Sequence, residues 1–310
     1  MQKPIVNILS KPISGPWGGG NQFLKALVSY LTEKELYVTN PIEADVVLVN
    51  SKDELNLIPE LAQKYGKTII HRVDGIFSVY RGPEHLHLDH QIYYFLKNFS
   101  SGVIYQSCWS KVCHRQNGAP KHENEIVIYN APDSNIFNTT GKTKRKNSDK
   151  IRLITTSWSP NLRKGFGTLQ FLDQNLDFDK YEYVFVGQSP VKFKNIEMID
   201  AVPSIKLAEI IKTCDIFITA SENDTCSNSL IEALSCGLPV VGLNSGGTPE
   251  IIKSGGKTFN NNNELLSAID EVSENLQEYV NNIFVEQFSE VGRRYYNFIR
   301  RCYEIKHINR

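Results

Sequence analysis

Short apolar runs alternating with helical patterns along nearly the whole chain predict an α/β protein with two doubly wound parallel sheets. Three observations carry this. The chain has 310 residues, long for one compact unit, and 41% of them are hydrophobic, enough for two cores. Its Val/Ile/Leu-rich runs are too short for buried helices and are separated by helix-length amphipathic segments. A polar, basic stretch, GKTKRKNSDK at 141–150, has no apolar position and divides the alternation into two series.

The first series opens with the strand PIVNILS and a helix from Asn21 to Glu33. ADVVLVN follows, then a helix over Asp53 to Tyr65, then the strands KTIIHRV, SGVIYQS and EIVIYN with helical segments between them. The second series runs IRLITTS, YEYVFVG, IEMID, DIFITA, LPVVGLN and KTF. The expected organisation is a first domain over 1–140, a linker over 141–150 and a second domain over 151–287. A helical stretch from about Asn275 carries Arg293, Arg294, Arg300 and Arg301 among Tyr295, Tyr296, Phe298 and Ile299. Its last part, 288–310, is expected to lay its aromatic face on the first domain, while contact of the basic side with a membrane surface stays open.

Composition narrows the function classes. Lys plus Arg equals Asp plus Glu at 34 each, so no global field favours nucleic acid or an anionic membrane. The apolar run before Ser10 is too short for a signal peptide or a membrane span. The six cysteines show neither a CxxC pair nor zinc spacing. A cytoplasmic protein without a transmembrane segment is expected.

Ligand loops of doubly wound sheets lie at the carboxyl ends of the strands, and two such domains are expected to face a cleft. After the first strand, SGPWGGGNQFLKAL sets Gly18, Gly19 and Gly20 before a helix, although neither GxGxxG nor a Walker loop is present. HRVDG ends the third strand with His71, Arg72 and Asp74, groups suited to the hydroxyls of a polar substrate or to pairing with each other. TTSWSPNLRKGFGTLQFL places Arg163 and Lys164 just before a helix start, where an anion would be favoured. In SENDTCSNSLIEALSCGLPVVG, the polar residues Ser227, Asn228 and Ser229 open a helix, and Ser229 with Glu232 has capping-box spacing. A second glycine turn, NSGGTPEII, suits another helix start.

WSPNLRKGF and DIFITASENDTCSNSLIEALSCGLPVVGLNSGGTPEII resemble the donor-binding half of the GT-B glycosyltransferases of family 4, retaining enzymes that use nucleotide-activated sugars. The resemblance is dense over 151–260, and GGGNQF, HRVDG and VIYQSCWSK support it in the first half. It implies a glycosyltransferase, a hexosyl or related transferase, moving a sugar from a nucleoside-diphosphate donor to a sugar, lipid or protein acceptor. The family's E-x7-E motif is D-x7-E here, with Asp224 on the transferred sugar and Glu232 on the ribose, and TCS replaces the usual Gly-Phe-Gly. Lys164 corresponds to the lysine that meets the diphosphate. Ser159 stands where an arginine is usual, so Arg163 is the expected substitute. The resemblance further implies His71 near the transferred sugar, Gly18, Gly19 and Gly20 on the donor, the start of the Ser227–Ser229 helix under the phosphates, and the backbone near Val202 on the base. Arg72 and Asp74 fall on the acceptor side. No Asp-X-Asp metal motif is evident, so neither a metal nor another cofactor is expected. The alternatives are a nucleotide-sugar epimerase or hydrolase on the same scaffold, or a non-catalytic nucleotide-sugar-binding subunit.

Overall fold

The computed structural model describes residues 3–10, 19–142 and 149–308. These fall into two compact units: residues 3–10, 23–130 and 288–308 in the first, 19–22 and 131–287 in the second. Gly18 and most of the basic stretch 141–150 lie outside the described residues.

In the first unit the order is β1 (Val6–Leu9), α1 (Gly19–Glu33), β2 (Val46–Asn50), β3 (Thr68–Val73), α2 (Phe77–Tyr80), α3 (Leu86–Asn98), β4 (Ser100–Tyr105), α4 (Cys108–Gln116) and β5 (Glu125–Val127). The strands pair in parallel in the order β1-β2-β3-β4-β5. The other edge of β1 is taken by the segment after α1: the Val6 N–H donates to the Leu36 carbonyl and the Val38 N–H to that of Val6. The chain therefore steps to one side of β1 first and to the other side afterwards. That reversal is the mark of a doubly wound sheet, and it puts the switch point between β1 and β2.

The expected helix over Asp53 to Tyr65 is instead a 3-10 turn, Leu55–Leu57, and a π turn, Glu60–Lys64. Pro59 lies between them, with no N–H to give the Leu55 carbonyl, and a continuous α-helix cannot pass it. Leu55, Ile58 and Leu61 still reach the core beside Val47, Val49, Ile69, Ile92 and Val103.

The second unit runs β6 (Ile151–Ser157), α5 (Phe166–Asn175), β7 (Tyr181–Gly187), β8 (Glu197–Ile199), α6 (Ser204–Lys212), β9 (Ile216–Thr219), α7 (Asn228–Ser235), β10 (Val240–Leu243), α8 (Thr248–Ile252), β11 (Gly256–Phe259), α9 (Asn262–Glu274) and α10 (Leu276–Asn281). Its order is β11-β10-β9-β6-β7-β8, all parallel. The switch point falls between β6 and β9, so the loops after these two strands, holding Arg163, Lys164 and Asp224, are neighbours.

The last described element is α11 (Phe288–Ile308), which packs on β3 and β4 of the first unit. Phe288, Val291, Tyr295, Phe298 and Ile299 are buried. Its basic side is mostly engaged: Arg300 faces Glu304, Arg293 pairs with Glu290, and Arg294 donates to the Val127 carbonyl. No helix among the described residues is long and apolar enough to cross a membrane.

Candidate active site

At the β6/β9 switch point, side chains of two loops pair across the sheet edge. Asn161 accepts the Arg163 N–H and starts a 3-10 turn over Leu162–Lys164, which ends at Gly165 with φ 83°. A Cβ on Gly165 would lie 2.4 Å from the Ala220 carbonyl oxygen, so only glycine lets the loops approach this closely. The Glu222 N–H donates to the Arg163 carbonyl at 2.8 Å. Lys164 Nζ stands 2.9 Å from Asp224 Oδ2, and Arg163 Nη1 stands 3.6 Å from Glu222 Oε2. The Lys164–Asp224 pair is the better shielded, at 21% and 14% side-chain exposure against 39% and 52%. Coulomb attraction is screened less there, so the inner pair is the stronger.

The two cations expected to meet a diphosphate are thus held ready at the switch point, each balanced by an acid of the facing loop. Sequence reasoning placed Lys164, Arg163 and Asp224 in the site and missed both their pairing and the part of Glu222. The partners lie 59 and 60 positions apart, and only the strand order brings them together.

The start of α7 differs from the expected capping box. Ser227, not Ser229, is the N-cap, and its side chain takes no backbone N–H, its hydroxyl lying 3.1 Å from that of Ser229. Ser229 is inside the first turn and Glu232 is two positions too deep to answer it. With no side-chain cap at Ser227, the helix start keeps its attraction for an anion.

Glu232 is 7% exposed, and its carboxyl forms no hydrogen bond or ion pair among the described residues. Burial pushes its pKa up to about 8 from 4.5. A buried acid without a partner costs stability, and evolution tolerates that cost most readily where a ligand supplies the partner. Val202 is half-buried in the loop between β8 and α6.

The first unit encloses two of the expected site residues. Arg72 is fully buried. Its guanidinium donates to Asn50 Oδ1 at 2.6 Å, Asn130 Oδ1 at 2.9 Å and the Tyr295 hydroxyl at 3.1 Å, and lies 4.8 Å from the Phe23 ring centroid. His71 is also fully buried, and its Nε2 donates to the Ser51 carbonyl at 2.6 Å. Desolvation lowers its pKa to about 4, so it is neutral, and it braces Ser51, whose backbone is left-handed at φ 51°.

Asp74 is half-buried and accepts from Gln106 Nε2, while Asn130 donates to Gln106 Oε1. Asn50 in turn donates to Asp53. The result is one chain, Asp53–Asn50–Arg72–Asn130–Gln106–Asp74, along the carboxyl edge of the first sheet. Gly19 and Gly20 form the first turn of α1, and a Cβ on Gly20 would meet nothing within 4 Å. Packing among the described residues does not require glycine there.

Two parallel α/β units of this kind are the GT-B fold. Sucrose-phosphate synthase from Thermosynechococcus elongatus superposes with a TM-score of 0.76 at 14% identity, over 98% of this chain and 100% of that one. Anabaena HepE in complex with UDP-glucose gives 0.69 at 16% identity, over 97% and 98%. Residues 136–283 match the family described as Glycosyl transferases group 1. Over 146 residues the chain is 31% identical to the phosphatidylinositol N-acetylglucosaminyltransferase GPI3 subunit of Saccharomyces cerevisiae, 41% of this chain and 32% of that protein. It is 32% identical over 76 residues to the sulfoquinovosyl transferase SQD2 of Arabidopsis thaliana, 22% of this chain and 15% of that protein. The chain thus spans no more than about a third of the length of these curated relatives.

Proposed function

We propose that the chain is a retaining glycosyltransferase of family 4 that moves a sugar from a nucleoside-diphosphate donor to an acceptor. The carrying observation is the meeting of Lys164, Arg163 and Asp224 at the β6/β9 switch point, inside the segment that matches a glycosyltransferase family. The curated relatives are named as transferases of sugars, and HepE was solved with UDP-glucose, which fits the same chemistry.

Glycosyl transfer passes through an oxocarbenium-like state while negative charge grows on the departing diphosphate. Lys164 and Arg163 would exchange their carboxylate partners for that charge, with the starts of α5 and α7 beside them. Such donors favour the transition state because the charge they meet is greatest there. Asp224, released from Lys164, is proposed to meet hydroxyls of the transferred sugar, and Glu232 those of the ribose.

Incubation with UDP-glucose, UDP-N-acetylglucosamine, GDP-mannose and ADP-glucose, each with and without simple sugar and lipid acceptors, tests the reading. Nucleotide release that requires acceptor, with the anomeric configuration of the donor kept in the product, is expected. Release or isomerisation without acceptor would make the chain a hydrolase or epimerase, and binding without turnover a binding subunit.

Metal independence is proposed on the same two cations, which supply the positive charge that a divalent ion would otherwise bring to the diphosphate. Turnover is expected to persist in EDTA. Loss in EDTA with recovery on adding magnesium or manganese overturns this.

A further inference from the structure

We propose that Ser245 and Gly246, in the turn that opens α8, are positioning residues that hold the backbone of Asp224 and so fix where its carboxylate stands at the switch point. The inference rests on the proposed role of Asp224 in transfer. Three contacts define the clamp. The Asn223 N–H donates to Ser245 Oγ at 2.9 Å, and Asn223 is held in a left-handed conformation, φ 54°. The Asp224 carbonyl accepts the Gly247 N–H at 2.8 Å. Gly246, itself at φ 63°, passes so close that a Cβ there would lie 2.3 Å from the Asp224 oxygen and 2.7 Å from its nitrogen.

The Asp224 side chain is fixed from the other side: Oδ2 faces Lys164, and Oδ1 accepts the Cys226 N–H at 3.3 Å. Backbone and side chain are therefore held by different loops, and neither alone sets the position of the carboxylate. Asparagine adopts the left-handed conformation more readily than other residues with a side chain but still at some cost, and the hydrogen bond to its N–H offsets that cost. Ser245 supplies the hydrogen bond that keeps it there. Gly246 supplies the room, since any side chain at 246 must displace the Asp224 backbone.

The test uses the full chain and two readouts. Amide hydrogen exchange of the segment 221–227 without ligand reads the clamp itself. Turnover of whichever donor in the four-sugar panel reacts fastest reads its consequence. Ser245→Ala is expected to speed exchange of the segment and to lower kcat about three- to tenfold, the range of one lost hydrogen bond. Gly246→Ala is expected to lower kcat about a hundredfold, as a displacement near 1 Å can. Ser245→Thr, which keeps the hydroxyl, restores both readouts.

The deciding comparison is Ser245→Ala in an Asp224→Asn background. A positioning residue that works through Asp224 adds little further loss there, whereas a merely structural one adds the same loss in both backgrounds. Unchanged exchange in Ser245→Ala, or equal losses in the two backgrounds, overturns the proposal. If the wild-type chain turns over none of the donors, the transferase reading fails by itself, and the exchange experiment still decides whether the clamp exists.

Discussion

Glu232→Gln is expected to raise the melting temperature of the ligand-free protein at pH 9 while weakening its hold on nucleotide. The carboxyl is buried, without a partner among the described residues, and its pKa is pushed up to about 8 from 4.5. Below pH 4.5 the folded and unfolded forms both hold the proton, and the group has no effect on stability. Between 4.5 and 8 the unfolded chain ionises and the folded one does not, so stability falls as pH rises. Above 8 the fold carries the buried charge and the penalty is complete.

A shift of that size corresponds to about 5 kcal/mol. Glutamine escapes it but leaves a buried amide unpaired, which takes back about 1–3 kcal/mol. The net gain is therefore about 2–4 kcal/mol, or roughly 4–16 °C by calorimetry for units of this size, and at pH 4, where only the cost of the unpaired amide is left, it turns into a small loss. If ribose hydroxyls are the missing partner, nucleotide binding ionises the acid and releases about one proton at pH 7. Isothermal titration in two buffers of different ionisation enthalpy reads that proton. A variant with unchanged nucleotide affinity and unchanged proton release would leave Glu232 as a core residue only.

Arg72→Ala is expected to cost the first unit about 4 kcal/mol, seen as a lower urea midpoint. The guanidinium is surrounded by neutral acceptors, and its removal leaves Asn50 and Asn130 oxygens buried without donors, at about 1–3 kcal/mol each, besides a cavity. Arg72→Lys should recover little, because a single ammonium cannot span three acceptors that the planar fork reaches together. A loss below about 1 kcal/mol would mean that desolvation of the charge already cancels its hydrogen bonds.

The contrast between Arg72 and Lys164 shows what a sequence can carry. The strands were legible because their apolar runs are local, and the site loops because they follow those strands. HRVDG reads as an exposed polar edge, yet the partners of Arg72 lie 22, 58 and 223 positions away, and no local pattern announces that a cation is enclosed. The cap of α7 was misplaced by two residues because SNS offers equivalent oxygens at 227 and 229, and backbone geometry chooses between them. Pro59, by contrast, was visible, and the helix over Asp53 to Tyr65 should have been divided there. The Asp224 clamp was half visible: NSGG reads as a turn, but its contact with residues 22 positions earlier depends on β9 and β10 lying side by side.

Tyr295, which closes the buried frame around Arg72, belongs to a helix made after the second unit, whereas Phe23 and Asn50 in the same frame are made before it. During vectorial synthesis the body of the second unit, 131–287, leaves the ribosome before the final partner of that cation exists. The unit begun before the other is thus completed after it, and translation stopped anywhere before α11 leaves its charged centre without a lid.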